Sequence, residues 1–437
     1  MAVSGWFVLL LAVGVVPTVL TNLPVVAVAW AAASLLLAVV DVLLAGSPRQ
    51  LTFTRELPAR MRLGETVEAR LLVTNPGRRT VRGVLRDGWP PSAGAAATRS
   101  WITIPAAERR WTVTTLRPFR RGERRAAHVT VRSFGPLRLA ARQATAVVPG
   151  AIRVLPPFAS RKHLPSRLAR LRELDGRTSV QIRGQGTEFD SLRDYVRGDD
   201  VRSIDWRATA RRSDPEGGGQ KLMVRTWRPE RDRRVVLVVD SGRTSAARIG
   251  NEPRIDTAFE ASLLLAALAS RAGDRVDLVV YDRRVRGRVQ GATGAELLSA
   301  MVDTMAPLDP ELLETDWSGV PALVRSVTAH RALVVLLTSI EAPGASRGLL
   351  SVLPQLTRSH TVVVASPTDP AVLEATRARS SRTEVYRAGA AERALLDAER
   401  VAAAIRRLGG DVVTASPSEL PPALADRYLA LKAAGRL

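Results

Sequence analysis

The sequence has no cysteine and little histidine, and both absences limit the chemistry it can carry. Without cysteine it can form no disulfide bond, no thiolate zinc site and no cysteine nucleophile. The histidines show no spacing typical of metal ligands, so transition-metal and histidine-base chemistries have few residues to use. The four histidines are His128, His163, His330 and His360.

Lysine is also scarce, although the chain is strongly basic. The 437 residues include 64 basic and 42 acidic side chains, a net charge of +22, yet only Lys162, Lys221 and Lys432 are lysines. Such arginine usage is typical of a GC-rich genome and needs no polyanionic ligand, although the charge also fits anionic lipid or nucleic acid. With 46% hydrophobic residues and this length, we expect two or three folded units.

Residues 1–46 contain neither lysine nor arginine. Two apolar blocks, residues 6–20 and 25–44, are separated by Thr21-Asn22-Leu23-Pro24. Each block approaches the roughly 20 residues that span a bilayer core, so the segment is predicted to form a hairpin of two transmembrane helices. Arginines follow from residue 49, and the positive-inside bias then places the soluble domains in the cytoplasm. The predicted location is the plasma membrane, with a multi-pass anchor.

Residues 47–157 alternate polar and apolar side chains in short runs. In the clearest run, residues 66–74, every second residue from Val67 to Val73 is apolar, and Asn75-Pro76-Gly77 closes the run. This period of two with turn residues between runs predicts a β-sandwich-like module. No group of chemically reactive residues clusters there, so the module is interpreted as a spacer or docking domain.

Residues 158–232, the motif segment, interleave acids densely with arginines. The planar guanidinium groups can pair with the carboxylates, which favours a structural or partner-docking network. Two other interpretations are weaker: paired carboxylates acting as general acid and base, or Tyr195 and Trp206 acting as stacking platforms for nucleic acid. The acids concerned are Asp194, Asp199, Asp200 and Asp205.

Residues 233–437 alternate continuous apolar strands with amphipathic helices. This pattern predicts a doubly wound, mainly parallel α/β domain. Ligands of such folds bind at the carboxyl ends of strands, where Asp240 and Thr244 follow the first strand and Thr338-Ser339 follow a later one. No Gly-rich phosphate-binding loop is present. The predicted strands are 235–239, 276–280, 333–337, 361–365 and 411–414; the predicted helices are 254–271, 294–305, 321–329, 347–358, 390–408 and 423–433.

The motif segment resembles the bacterial domain of unknown function 58 family, whose carboxyl-terminal part is similar to a von Willebrand factor type A domain. The resemblance implies a metal-ion-dependent adhesion site for Mg²⁺ formed by Asp240, Thr244 and Thr315 or Asp316. Gly242 and Ser339 depart from the family pattern at that site. The resemblance is carried in the motif segment by Tyr195, Gly198, Asp199, Asp200, Arg202, Ile204, Asp205, Trp206, Ala208, Ala210 and Arg211.

The same resemblance implies a role beside a MoxR-type AAA+ ATPase in the assembly or maturation of a client protein. The expected function is therefore a membrane-anchored adaptor that binds partners, without a catalytic residue and with Mg²⁺ as the single implied cofactor. One alternative is a hydrolase that uses Asp240 or the acids near Asp199. A weaker alternative is binding of anionic lipid or nucleic acid through the arginine excess.

Overall fold

A computed structural model describes residues 2–181, 188–196, 199–211, 222–228 and 233–437. The chain folds into two compact units, Met1–Pro157 and Phe158–Leu437. The first unit begins with helices α1 (Gly5–Val13), α2 (Val15–Thr21) and α3 (Pro24–Leu44). Its strands are β1 (Ala2–Val3), β2 (Thr52–Glu56), β3 (Arg60–Arg62), β4 (Val67–Thr74), β5 (Val81–Asp87), β6 (Arg99–Ile104), β7 (Arg109–Leu116), β8 (Gly122–Phe134) and β9 (Ala140–Leu155).

The amino-terminal helices are apolar over nearly their whole length. Among the described residues, one helical span, Pro24–Gln50, which contains α3, is long and apolar enough to cross a membrane. The span Gly5–Thr21, which contains α1 and α2, is apolar but shorter. The two pack where Gly14 meets Trp30, since a Cβ atom on Gly14 would lie 2.1 Å from Trp30 Cδ1. Trp30 Nε1 donates a hydrogen bond of 2.8 Å to the Leu10 carbonyl. One of the two predicted transmembrane helices therefore meets the length requirement.

The β strands of the first unit form two sheets around a shared core. One sheet has the order β1-β9-β8-β5-β6, with β3 also paired to β9, and the other has the order β2-β4-β7. The alternation predicted for residues 66–74 appears in β4, where Leu71 and Val73 are buried. They pack with Leu85 and Val131 from the other sheet, which is the arrangement of a β-sandwich.

The second unit contains both the motif segment and the α/β domain. Its helices are α4 (Leu164–Gln181), α5 (Trp206–Arg211), α6 (Arg243–Ala246), α7 (Arg254–Arg271), α8 (Gly294–Met305), α9 (Val320–Val327), α10 (Arg347–Thr357), α11 (Pro370–Ala375), α12 (Arg382–Arg407) and α13 (Leu420–Ala433). Its strands are β10 (Glu188–Asp194), β11 (Met223–Arg228), β12 (Arg234–Asp240), β13 (Arg248–Ile249), β14 (Glu252–Pro253), β15 (Arg275–Tyr281), β16 (Val285–Val289), β17 (Leu333–Leu337), β18 (Thr361–Pro367) and β19 (Asp411–Ala415).

The central sheet of the second unit has the order β16-β15-β12-β17-β18-β19. All neighbouring pairs are parallel except β15 and β16, which pair antiparallel at one edge. One face of the sheet, which carries Val236 and Val238, packs against α9, α10 and α12. Helix α7 is buried along most of its length and contacts β12, β15 and α13. The predicted mainly parallel sheet is confirmed, with the antiparallel β16 as an addition.

The motif segment folds around a second, smaller sheet in which β10 and β11 pair antiparallel. Ile204 forms an isolated bridge to Val224 of β11, and the Asp205 N–H donates to the Met223 carbonyl at 2.8 Å. Helix α4 is joined to α13 because Arg167 pairs with Asp426 at 2.8 Å. Ion pairs and backbone hydrogen bonds thus hold the described parts of the charged segment together.

Candidate functional site

Asp240 ends β12 at the point where the strand order of the sheet changes direction. In the sheet, β12 lies between β15 and β17. The chain first adds β15 on one side of β12 and later returns to add β17 on the other side. The carboxyl ends of neighbouring parallel strands open into a crevice at such a point, and ligands of α/β folds bind there. The structure therefore places Asp240 at the expected ligand position of the sheet.

The Asp240 carboxylate accepts four hydrogen bonds although its side chain is buried. Its Oδ1 accepts from the Gly242 N–H at 2.8 Å and from the Thr315 hydroxyl. Its Oδ2 accepts from the Thr244 hydroxyl at 3.0 Å and from the Thr338 hydroxyl at 2.6 Å. These donors compensate the loss of hydration of the buried carboxylate.

A small cavity of about 20 Å³ lies beside Asp240, which is room for roughly one water molecule. Two acids at its rim are paired: Glu314 with Arg243 at 2.6 Å, and Glu341 with Arg254 at 2.8 Å. The Ser339 side chain also lines the cavity and is buried. Within the described part of the chain, its hydroxyl has no hydrogen-bond partner.

The residues at this site do not fit Mg²⁺ as they are arranged. Each oxygen of the Asp240 carboxylate already accepts two hydrogen bonds from protein donors, so its lone pairs are in use. A serine at position 242 would place its Cβ 2.2 Å from the Thr315 Oγ1. Asp316 lies apart from the cavity lining and accepts from the Ser318 N–H at 3.0 Å. Among the described residues, no group of three or more His, Asp or Glu could hold a metal ion.

A second buried acid, Asp282, follows the neighbouring strand β15. Its carboxylate pairs with Arg286 at 3.0 Å, and Arg286 also pairs with Glu311 at 2.7 Å. Burial raises the pKa of Asp282, but the N–H groups of Arg283 and Arg284 and the Arg286 guanidinium together hold it below its usual value. This acid is therefore ionised at neutral pH and serves as an ion-pair partner.

Asp199 and Asp205, two acids of the motif segment, accept hydrogen bonds from arginine side chains and from backbone N–H groups. Asp199 accepts two hydrogen bonds from Arg193, at 2.7 and 2.6 Å, and one from the Val196 N–H at 2.9 Å. Asp205 accepts from the N–H groups at the start of α5 and pairs with Arg225 at 2.7 Å.

These contacts fix the protonation state of both acids. The Arg193 guanidinium, followed by the Val196 N–H, lowers the pKa of Asp199. The Ala208 N–H, followed by Arg225, lowers the pKa of Asp205. A general acid needs a raised pKa near the working pH, so neither group suits that role.

The remaining motif residues include several large apolar side chains that are exposed. Leu192, Val196, Val201 and Trp206 have exposed fractions of 39%, 61%, 63% and 65%. Sequence reasoning named Trp206 and did not predict that the other three are exposed, because an exposed apolar side chain has no distinguishing local pattern in the sequence. These exposed side chains are available for contact with a partner protein.

The other predicted motif residues have local structural roles or lie on the surface. The Tyr195 N–H donates to the Leu222 carbonyl at 2.8 Å, and Asp200 accepts from the Arg202 N–H at 3.0 Å. Arg202 and Arg211 are exposed. Gly198 lies outside the described residues. The cavity beside Asp240 is lined by none of the described motif acids, so the two predicted groups form separate sites.

Comparisons with solved structures give low similarity. The VWA domain of SpRpn10 is 7% identical, with a TM-score of 0.27, and the match covers 45% of this chain and 94% of that chain. The CARDB domain of the PF1109 protein from Pyrococcus furiosus is 16% identical, with a TM-score of 0.17, and covers 22% of this chain and 86% of that chain. Scores at this level carry no argument about function.

Comparisons of sequence identify relatives of unknown function. Uncharacterized protein Rv1480 of Mycobacterium tuberculosis and uncharacterized protein Mb1516 of Mycobacterium bovis are each 27% identical over 164 residues, which is 37% of this chain. The chain spans about half the length of these curated relatives, with 50% of each covered. Residues 191–383 match the family described as Protein of unknown function DUF58. This segment includes the motif acids and the Asp240 site, and over these residues the chain is similar to that family.

Proposed function

We propose that the chain is a membrane-anchored protein that binds partner proteins through its motif segment and does not catalyse a reaction. The observation that carries this proposal is the contrast between the two kinds of side chain in the segment. The acids Asp199 and Asp205 are used in internal pairs, whereas Val201 and Trp206 are 63% and 65% exposed. Exposed aromatic and aliphatic side chains are the usual anchors of protein interfaces.

A catalytic function has less support from the acids. A hydrolase would need one acid with a raised pKa beside one that stays ionised. The pKa values of Asp199 and Asp205 are both lowered, and Asp240 is enclosed by hydroxyl and N–H donors beside a cavity of about 20 Å³. These features favour a structural role for all three carboxylates.

The proposed anchor is a helical hairpin with the soluble domains in the cytoplasm. Two contacts support it, one at each end of the helical segment. Before α1, Val3 of β1 pairs with Ala140 of β9, and at the end of α3 the Asp41 carboxylate accepts from the Leu139 N–H at 2.8 Å. Both ends of the segment are thus attached to the same stretch of β9 and its preceding turn, as a hairpin requires. The arginines after residue 46 favour the cytoplasmic side.

The proposed partner is a MoxR-type AAA+ ATPase together with its client protein. This partner class follows from the family resemblance, and the same resemblance assigns the α/β domain a von Willebrand factor type A-like fold. The position of Asp240 at the change of strand order supports that fold assignment. The chain would then act as the membrane-bound adaptor through which the ATPase meets its client.

Co-purification from membranes tests the adaptor proposal. Tagged wild-type chain should retain a MoxR-type AAA+ ATPase in mild detergent, and the double variant Val201→Ser/Trp206→Ser should lose it. A matched control is Val385→Ser/Tyr386→Ser, which removes two comparably exposed side chains from α12, 52% and 68% exposed. Absence of an AAA+ ATPase from every extract, or equal retention by the two double variants, would contradict the proposal.

A further inference from the structure

An open cavity of about 770 Å³ lies in the first unit where helix α3 ends. Three segments line it: the end of α3 and the turn after it, the turn between β4 and β5, and the start of β9. Three of its lining side chains are arginines and none is an acid. The lining residues are Leu43, Ala45, Ser47, Gln50, Pro76, Gly77, Arg78, Arg79 and Arg142.

The arginines of this cavity have no acidic side chain beside them in the cavity lining. Arg78 and Arg79 are exposed, and Arg142 is half-buried. The Arg79 guanidinium donates to the Leu43 carbonyl at the end of α3, where helix carbonyls have no partner within the helix. No acid in the described residues pairs with Arg78 or Arg142. The cavity therefore presents uncompensated positive charge.

The other wall of the cavity continues the apolar surface of α3. Leu43 lines the cavity and is 57% exposed, and Leu44 beside it is 51% exposed. If α3 crosses the membrane, these leucines mark the edge of the hydrocarbon region, and the arginines lie just beyond it. That is the depth of lipid phosphate groups.

An aromatic cluster beside the same helix end supports this placement. Trp101 stacks on Phe134 with ring centroids 5.9 Å apart, and the Arg138 guanidinium lies 5.0 Å from the Trp101 ring. Trp101 is 52% exposed, and Leu137, next to Arg138, is 55% exposed. The Leu137 N–H also donates to Asp41 of α3 at 2.7 Å, so the turn is held at the helix end. Exposed tryptophan near arginine is typical of the membrane–water interface.

We propose that this cavity binds the headgroup of an anionic phospholipid. Arg78 and Arg142 would contact the phosphate oxygens, because guanidinium groups pair with phosphate in a planar, two-bond geometry. Leu43 would contact the acyl chains of the same lipid. This inference rests on the proposed membrane anchoring by α3, and it assigns part of the arginine excess to one lipid site.

Native mass spectrometry of the full chain in mild detergent tests the lipid site. Phosphatidylglycerol and phosphatidylcholine are added separately, and the bound fraction is measured for each. We expect the wild type to retain phosphatidylglycerol in preference to phosphatidylcholine. The variant Arg78→Gln/Arg142→Gln should bind phosphatidylglycerol roughly thirtyfold more weakly, since each arginine near anionic lipid contributes about a factor of five. Equal retention of both lipids by the wild type would overturn the inference.

A matched control is Arg82→Gln/Arg86→Gln, which removes the same charge from exposed positions of β5 outside the cavity. Equal weakening in both double variants would overturn the site, because the effect would then follow net charge. Inorganic phosphate is added as a competitor. Displacement of the lipid by inorganic phosphate alone at comparable concentration would identify a free-phosphate site and would also overturn the lipid assignment.

A separate measurement distinguishes this inference from the proposed membrane anchor. Alkaline carbonate should leave wild type and both double variants in the membrane pellet, because α3 anchors all of them. Release of the wild type by carbonate would contradict the anchor itself. Retention in the pellet together with unselective lipid binding would contradict the lipid site alone.

Discussion

At the scale of single residues, Asp240 connects segments that are far apart in the sequence. Its carboxylate accepts from Thr338, which follows β17, and from Thr315, which precedes Trp317. Both donors come from outside β12, so the carboxylate holds the carboxyl ends of neighbouring strands and a loop together. Ser339 is buried next to Thr338, but its hydroxyl has no partner in the described structure. We therefore expect substitutions of Asp240 and of Ser339 to have different effects on the free energy of unfolding.

Asp240→Ala should lower the free energy of unfolding of the second unit by about 2–4 kcal/mol, because it leaves the buried Thr338 hydroxyl and the Gly242 N–H without their acceptor. Ser339→Ala should be neutral or slightly stabilising, since it removes a buried hydroxyl that has no partner. Chemical denaturation of both variants measures the difference. Equal losses of stability in the two variants would show that the hydrogen bonds to Asp240 are not what holds this edge of the sheet.

Because His360 is buried, we expect the free energy of unfolding to depend on pH between about 5.5 and 7.5. Burial lowers the pKa of His360 below its usual value of about 6.5. The unfolded chain therefore takes up a proton that the folded chain does not, and stability should fall as pH falls below about 6.5. His360→Gln should flatten this part of the stability profile, and His330→Gln, at an exposed position, is the matched control. Thermal unfolding across this range measures both, and an unchanged slope in His360→Gln would contradict the assignment.

At the scale of elements, the end of α3 is joined to the turn before β9 by one buried carboxylate. Asp41 accepts from the N–H groups of Leu137, Leu139 and Ala140 at 2.7, 2.8 and 3.3 Å. A single acid in an apolar helix thus satisfies three backbone donors of a separate element. These hydrogen bonds join α3 to the β-sandwich and hold the turn before β9 in place.

Asp41→Ala should loosen this turn without unfolding α3. The three N–H groups lose their acceptor, so the backbone amides of Leu137 and Leu139 should exchange hydrogen faster, by roughly tenfold or more for a loss of about 1.4 kcal/mol or more. The control is Val39→Ala, at an exposed position in the same helix. Hydrogen-exchange mass spectrometry of residues 135–140 measures the change. Unchanged exchange in Asp41→Ala would contradict the role of the carboxylate.

The sequence predicted the buried strands well because their patterns are local. Strand β17 has the predicted bounds, and so do helices α7 and α8. Helix α12 begins at Arg382, earlier than the predicted residue 390, because Ser381 accepts from the Glu384 N–H and caps the helix. That capping pattern was present in the sequence and was missed.

Other features could not be read from local patterns. Asp41 looked like an isolated polar residue near the end of an apolar helix, since its three donors are nearly a hundred residues away. The short strand β1 forms because Val3 pairs with Ala140, which no periodicity predicts. The family resemblance supplied the candidate metal residues, but the position of Asp316 outside the cavity lining depends on how the loop folds. The donors to Asp41, the formation of β1 and the position of Asp316 all depend on contacts between residues far apart in the sequence.

At the scale of the whole molecule, the arginines that give the net charge of +22 lie in different environments. Some arginines are paired internally: the buried Arg55 with Asp87 at 2.7 Å, and the half-buried Arg234 with Asp277 at 2.6 Å. Others lie unpaired at the end of α3, where Arg78 and Arg142 line the open cavity. The net charge alone therefore does not show which arginines are available to bind an anion; their locations and ion pairs do.

The absence of cysteine makes the proposed topology directly measurable, because each introduced cysteine is the sole labelling site. Val3→Cys and Arg49→Cys should react with a membrane-impermeant maleimide only after cells are permeabilised, since both positions adjoin the β-sandwich side of the helices. Thr21→Cys, in the turn between α2 and α3, should react in intact cells. Labelling of Val3→Cys and Thr21→Cys on the same side would indicate a single crossing by α3 and contradict the hairpin. Labelling of Arg49→Cys in intact cells would contradict the cytoplasmic orientation.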